Sequence, residues 1–175
     1  MRRQFTREGF GGRGRKYFGA ARAKTMTYFD PDAIRHARLR RFHDYWHGKR
    51  RGDALPGRAD IDPLEFPWAL GYVTLHDVLP DGDFRVRLDA TKAVEFFGIE
   101  LTGTRLSAHR DRDMAGKMVQ TLTYVARTRA PLVIDRDFAI QNRYWRYQSL
   151  MLPFAADGKN VDMLASVLGY DGGGD

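Results

Sequence analysis

Residues 69–89, ALGYVTLHDVLPDGDFRVRLD, contain the pattern that decides the fold. The first half, Ala69 to Leu79, is rich in the aromatic and β-branched side chains that favour strands. Pro80-Asp81-Gly82-Asp83 has the composition of a turn, and residues 84–89 then alternate apolar and polar side chains with a period of two. Two such runs joined by a short turn predict a β-hairpin.

Helical spacing follows this hairpin. Thr91 is predicted to cap a short helix that runs to Phe97 and stops at Gly98. Asp111 is predicted to begin a longer helix that reaches about Arg127. Its apolar residues recur every three or four positions and form one stripe: Met114, Met118, Leu122 and Val125.

Three further strands are predicted after Pro131, because the apolar period falls back to two. They are Leu132 to Phe138, Tyr144 to Phe154 and Val161 to Tyr170, with Asp157-Gly158 marking the last connection. The whole order is two strands, a helical crossover and three strands. It predicts an α+β fold in which a five-stranded antiparallel sheet has its helices on one face.

Another helix is predicted upstream, from Asp30-Pro31 to about Arg51. Its apolar stripe is Leu39, Phe42 and Trp46. The rest of this helix is polar, so the stripe needs a partner, which is either the body of the domain or a second copy of the helix. A short helix at about 63–68 should follow, with Glu65 reaching back as a capping box.

The predicted organisation has four parts. They are a basic Gly/Arg-rich arm at 1–29 that we expect to be disordered, the helix and linker at 30–68, the sheet domain at 69–170 and a frayed tail at 171–175. The net charge of +7 belongs to the arm, which holds eight basic side chains and one acidic one, whereas the remaining residues hold 21 of each sign. Any attraction for anions is therefore a property of the arm.

Two interpretations of the arm remain open. Arginines and aromatic side chains in residues 1–25 could contact RNA or an acidic lipid surface, so a nucleic-acid-binding protein is the alternative function. The other interpretation is a solvated tail, or a start that is over-extended upstream of Met26. The neutral body disfavours nucleic-acid binding, because specific binders spread basic charge over the folded surface.

Several short segments together resemble a family of short bacterial proteins that consist of one PAS domain. They are Tyr45-Trp46, residues 55–63 (LPGRADIDP), residues 84–88 (FRVRL), Gly98, residues 101–103 (LTG), residues 150–154 (LMLPF), Asp157-Gly158 and residues 168–170 (LGY). The resemblance covers about residues 32–170. It departs from the family pattern at Ala90-Thr91, where the family has Gly-Thr.

The resemblance implies a stand-alone sensory or adaptor module in the cytoplasm that works by binding partners. It also implies a homodimer, for which Leu39, Phe42 and Trp46 are the predicted contacts. The signal, the signalling partner and the pathway are not named by the sequence. No run of 18 apolar residues is present, so no membrane span is predicted.

The space between the helices and the sheet is the predicted ligand pocket of such a domain. Its predicted lining is apolar: Phe96, Phe97, Leu106, Met114, Met118, Leu122, Leu150 and Leu152. Methionine adapts to irregular volumes, which suits a small apolar ligand. The competing interpretation is an ordinary packed core.

No cofactor is predicted. The chain has no cysteine, which excludes flavin–cysteine photochemistry together with disulfides and thiol catalysis. Haem is disfavoured because its iron needs an axial ligand from the protein. His109 is the histidine available on the crossover, and it precedes the long helix in a charged loop. No metal site is predicted either. His43 and His47 have the spacing of a metal clip, but Arg40 stands where a third ligand is needed.

Catalysis is not predicted. Asp111 and Asp113 belong at a helix N-terminus, and Asp135 and Asp137 are expected on an exposed strand face. No Gly-rich phosphate loop follows a strand, and the serines lack a nucleophile-elbow context. An isomerase or hydrolase on a PAS-like sheet would require a convergent acid, base and nucleophile, which the sequence does not show.

Overall fold

Six strands form one antiparallel sheet in the computed structural model, which describes residues 24–28, 31–140 and 143–170. The strands are β1 (Lys24–Tyr28), β2 (Val73–Val78), β3 (Phe84–Leu88), β4 (Leu132–Ile140), β5 (Arg143–Phe154) and β6 (Met163–Gly169). Their order across the sheet is β1-β4-β5-β6-β2-β3. The hairpin read from residues 69–89 is β2–β3, and its second strand forms one edge of the sheet.

In the described residues three α-helices accompany the sheet: α1 (Ala37–Gly48), α2 (Thr91–Phe97) and α3 (Arg112–Thr128). Short 3-10 turns connect them to the strands at Pro31–Ala33, Arg58–Asp60, Pro63–Glu65, Pro67–Ala69 and Leu106–Ala108. None of the helices in the described residues combines the length and apolar character needed to cross a membrane.

The predicted five-stranded antiparallel sheet and N-terminal helix are confirmed, and a sixth strand joins them. β1 pairs with the outer edge of β4, where Lys24 lies opposite Asp137 and Tyr28 lies opposite Val133. The prediction that the arm is disordered up to residue 29 is therefore wrong for residues 24–28, because the free edge of β4 supplies backbone partners for them. Residues 1–23 lie outside the described part of the chain.

Helices cover the sheet on two faces. We call the face toward α2 and α3 the inner face and the face toward α1 the outer face. On the outer face the α1 stripe is completely buried against strand residues such as Leu150, Leu152 and Val167. The buried indole of Trp46 also donates a hydrogen bond to the carbonyl oxygen of Pro153 at 2.9 Å.

A buried amide anchors the start of α1 to the outer face. The Gln148 side-chain oxygen accepts a hydrogen bond from the Arg35 backbone at 2.8 Å, and its nitrogen donates to the Ala33 carbonyl at 2.9 Å and to Asp135 at 2.7 Å. The Asp135 carboxylate also pairs with the Arg35 guanidinium at 2.8 Å. The expected exposed position of Asp135 is thus wrong: it is 7% exposed because it completes this network.

The predicted helix boundaries need two changes. The first helix is a 3-10 turn from Pro31 and then α1, which begins only at Ala37 behind the N-cap His36. Residues 63–69 form 3-10 turns rather than one short helix, with Asp62 capping the first through its carboxylate. Glu65 does not complete a capping box, since its carboxylate binds Lys49 at 2.6 Å instead.

Candidate functional site

Polar side chains interrupt the otherwise apolar inner face of the sheet. Strand register places the inner-face residues in three neighbouring rows: Leu164, His76 and Val86; Leu132, Met151, Ser166 and Thr74; and Ile134, Ser149 and Leu168. The apolar members other than Leu168 pack with Leu122 and Val125 of α3 and with Leu106 of the turn before it. The polar residues of these three rows, His76, Ser166, Thr74 and Ser149, therefore lie in the layer between the sheet and its helices.

His76 is the most deeply buried of these polar residues. Its side chain is 1% exposed, and the register places it between Val86 and Leu164. Its Nε2 atom lies 3.1 Å from the hydroxyl oxygen of Ser166. Its Nδ1 atom is buried and has no hydrogen-bond partner among the described residues.

Burial also sets the protonation state of His76. It lowers the pKa of the imidazole from 6.5 to about 4 and outweighs the opposing effect of the nearby Asp77 carboxylate. His76 is therefore neutral near pH 7, with one ring nitrogen as donor and the other as acceptor. A neutral imidazole with one free nitrogen can form one more hydrogen bond to a group placed beside it.

The Asp77 carboxylate belongs to the opposite face. Burial opposes its charged form, but hydrogen bonds from Arg85 and Arg87 outweigh that effect and lower the pKa of Asp77. Arg85 reaches its Oδ2 atom at 2.9 Å and Arg87 its Oδ1 atom at 2.5 Å. The two guanidiniums hold this negative charge on the outer face.

A second polar group ties α2 to the sheet beside Thr74. The Thr74 hydroxyl donates to the Asp89 carboxylate at 3.1 Å, and the backbone amides of Ala90 and Leu101 donate to the same carboxylate at 3.0 Å. Burial nevertheless raises the pKa of Asp89, because desolvation outweighs these bonds. Ala90, rather than Thr91, is the N-cap of α2, and its φ of −69° shows that this turn does not need the family's glycine.

Aromatic side chains close the far end of the inner face. The ring of Phe97 on α2 meets the ring of Tyr147 on β5 edge-on, with centroids 6.2 Å apart. Leu168, Tyr72 and Tyr170 complete this cluster. Burial raises the pKa of Tyr147, so this phenol is neutral at physiological pH.

The structure separates the predicted pocket residues. Leu106 and Leu122 are buried in the inner-face cluster, Met118 packs against it, and Met114 is half-buried on the same helix. Phe97 lies in the aromatic cluster, and the side chain of Phe96 lies outside the described residues.

Leu150 and Leu152 are wrongly assigned to this pocket. Both belong to the outer-face core with α1, and their neighbours Ser149 and Met151 are the β5 residues on the inner face. Successive side chains of a strand point to opposite faces, and here both faces are covered. Because residues 150–154 are apolar at consecutive positions, their pattern does not indicate which of them face α3.

The predicted dimer contacts also need correction. Leu39, Phe42 and Trp46 are at most 1% exposed within a single copy of the chain. Their partner is the outer face of their own sheet. They cannot contact a second copy unless α1 leaves that face.

The histidines on α1 form a ring pair without further ligands. The rings of His43 and His47 are stacked with centroids 6.1 Å apart, and His43 Nδ1 lies 3.3 Å from the Asp44 carboxylate. Within the described residues no three histidine, aspartate or glutamate side chains are grouped so that they could hold a metal ion. His109 is buried, and its Nδ1 accepts the backbone amide of Asp111 at 3.0 Å, so it stabilises the start of α3.

The acidic residues that precede and begin α3 have the predicted structural role. The Asp111 carboxylate accepts the backbone amide of Met114 at 3.0 Å as the N-cap, and Asp113 lies in the first turn. Ser107 donates its hydroxyl to Asp83 at 2.6 Å in the loop before the helix. These contacts stabilise the local backbone.

His76 was missed by the sequence analysis, although a signal for it was present. Alternation along residues 73–78 places Thr74 and His76 on the face opposite Val73 and Leu75. A histidine in the interior of a central strand, with apolar residues on both of its cross-strand sides, is unusual for its polarity. That combination would have marked it as a candidate.

Comparison with known proteins identifies the domain type. The family model of the PAS domain matches residues 34–169, which include every strand and α-helix from α1 to β6 but not β1. A similar solved structure is the PAS domain of BvgS from Bordetella pertussis, with 20% sequence identity and a TM-score of 0.48 over 65% of this chain and 89% of that chain. No curated protein sequence matches the chain.

Proposed function

This chain belongs to the PAS domain family, and we propose that it is a sensory module that binds a small molecule on the inner face of its sheet. PAS domains are in general sensory and regulatory modules rather than catalysts. The observation that carries the proposal is the buried His76 imidazole, whose Nδ1 has no partner among the described residues. Buried polar atoms are normally paired, so an exception within a covered layer suggests a missing partner.

The surroundings of His76 favour a mostly apolar ligand. Val86 and Leu164 flank the imidazole, and Leu106, Leu122 and Met118 cover the same face. Pockets for small molecules are mainly apolar with a few polar groups that fix orientation. Met118 has an unbranched, flexible side chain, which can adapt to a ligand at low energetic cost.

Native mass spectrometry of the purified chain tests this function. We expect a bound small molecule at up to one per chain, released on denaturation and identified by its mass. The His76→Gln variant should retain less of it, whereas His47→Gln, at an exposed α1 position, should retain as much as the wild type. An unliganded mass in every preparation, together with no thermal stabilisation by any small molecule tested, charged or neutral, contradicts the proposal.

Self-association is a second part of the proposed function, and it is supported by the fact that PAS domains often form dimers. The buried α1 stripe cannot provide the contact, so an assembled form must use other surface residues. Light scattering across a wide concentration range tests it, and a mass that rises toward two chains is expected. A monomer mass at every concentration contradicts it, and so does a dimer that dissociates only when α1 unfolds.

The output of the module is proposed to pass to a signalling partner, and its cytoplasmic location stays a prediction. No observation on the described residues favours the nucleic-acid alternative. The basic residues that suggested it lie mainly in residues 1–23, outside the described part of the chain.

A further inference from the structure

The two nitrogens of His76 define what a ligand must offer. The Ser166 hydroxyl beside Nε2 can act as donor or acceptor, so the imidazole can take either neutral tautomer. In one tautomer the free Nδ1 accepts a hydrogen bond, and in the other it donates one. A ligand hydroxyl can satisfy this nitrogen in either tautomer, a ligand N–H group in one tautomer and a ligand carbonyl oxygen in the other.

Among the described residues that the strand register places around His76, none is an ionised partner for a ligand. In its own row it has Val86 and Leu164, and the next row offers Thr74 and Ser166. The Arg136 residue lies beside Tyr147, three rows away, in the register of β4 and β5. Asp89 is already occupied by Thr74 and two backbone amides.

A charged ligand would therefore be buried without a counter-charge. Transfer of an isolated ion into an apolar layer is far more costly than transfer of a neutral polar group that finds one hydrogen bond. Asp77 cannot help a cationic ligand, because its carboxylate is held on the outer face by Arg85 and Arg87. Charge alone should exclude both anions and cations.

We propose that the inner face takes an uncharged small molecule with an apolar body, whose hydroxyl, N–H or carbonyl group hydrogen-bonds to Nδ1 of His76. This inference rests on the proposed small-molecule function and specifies its ligand class. It makes His76 the residue that orients the ligand, with Ser166 holding the imidazole in place.

Four small molecules that share a benzene ring with one substituent distinguish the effect of ligand charge from the effect of a hydrogen bond. They are toluene, benzyl alcohol, benzoate and benzylammonium. At neutral pH benzyl alcohol should bind the wild type best, and the two ions should bind at least about tenfold more weakly because of the cost of burying them. Toluene should bind about two- to tenfold more weakly, which is the usual worth of one hydrogen bond. In ¹⁵N NMR of labelled histidine, benzyl alcohol should shift the His76 Nδ1 signal and toluene should not.

Variants then assign the effect to His76. His76→Phe should lower the affinity for benzyl alcohol to that for toluene, while His47→Phe at the exposed α1 position changes neither. If His76→Phe does not fold, Ser166→Ala keeps the imidazole and should keep the preference for benzyl alcohol over benzoate. An unchanged Nδ1 signal on saturation of the wild type with benzyl alcohol overturns the inference.

The outcomes distinguish this inference from the proposed function. If benzoate or benzylammonium binds as tightly as benzyl alcohol, the ligand class is wrong but a small-molecule site on the inner face still stands. A charged molecule found in the purified protein has the same meaning. If no probe binds and no molecule is found, both proposals fail.

Discussion

Acid should destabilise this domain through His76 well before its carboxylates are protonated. The imidazole has a pKa of about 4 in the fold and 6.5 as a free side chain. Between these values the unfolded chain binds a proton that the folded chain does not, so stability falls as the pH falls. The contribution is fully present above pH 6.5 and is lost progressively toward pH 4.

The magnitude follows from the two pKa values. Proton linkage between pH 7.5 and pH 5 gives a loss of about 2 kcal/mol from this one side chain. For a domain of this size that moves the urea midpoint by roughly 1 M. Exposed carboxylates with ordinary pKa values near 4 contribute little in this range.

Urea unfolding of the wild type and of His76→Gln at pH 7.5 and pH 5 measures the effect. Glutamine does not titrate, so the variant should lose about 2 kcal/mol less than the wild type on acidification. The matched control His47→Gln should retain the loss that depends on His76. Equal losses in the wild type and in His76→Gln would refute the claim that burial keeps this imidazole neutral.

Two further predictions concern the packing of the fold. A Cβ atom at Gly169 would lie 2.8 Å from the Gln148 carbonyl oxygen and 2.8 Å from the Leu39 side chain. Gly169→Ala should therefore lower the free energy of unfolding by about 1–3 kcal/mol, measured by urea unfolding, and should loosen the packing of α1, measured by its proteolysis. Gly116→Ala on α3 is its control, because nothing lies within 4 Å of the added atom and helix propensity should give a gain of roughly 0.5–1 kcal/mol. Trp46→Ala should lower the free energy of unfolding by about 3–5 kcal/mol in thermal or urea unfolding without changing the state of association. A lower fraction of dimer at unchanged stability would contradict the intramolecular packing of the indole.

The order of strands and helices could be predicted because each element has its own local signal. The β2–β3 hairpin is marked by period-two alternation on both sides of Pro80-Asp81-Gly82-Asp83. The α3 helix is marked by the Asp111 cap and an apolar stripe at helical spacing. Such signals depend on neighbours along the chain, so one sequence is enough to reveal them.

The pairing of β1 with β4 has no comparable local signal. Residues 24–28, KTMTY, follow a basic glycine-rich segment and are too few to show a pattern of their own. Their strand conformation depends on the free edge of β4, more than a hundred residues later in the chain. A contact between segments so far apart in the sequence is revealed only by the three-dimensional structure.

In the candidate site, too, some features follow from local sequence and others only from tertiary packing. Because both faces of the sheet are covered, apolar residues occur at consecutive positions of β5, and Leu150 and Leu152 were as plausible for the inner face as Ser149 and Met151. The decisive fact is that α1 packs on the outer face, and its stripe of three large side chains was compatible with that face or with a second copy. Once α1 occupies the outer face, strand alternation assigns His76 to the inner face, against α3 and away from α1. The site thus becomes recognisable only after the partner of α1 is known.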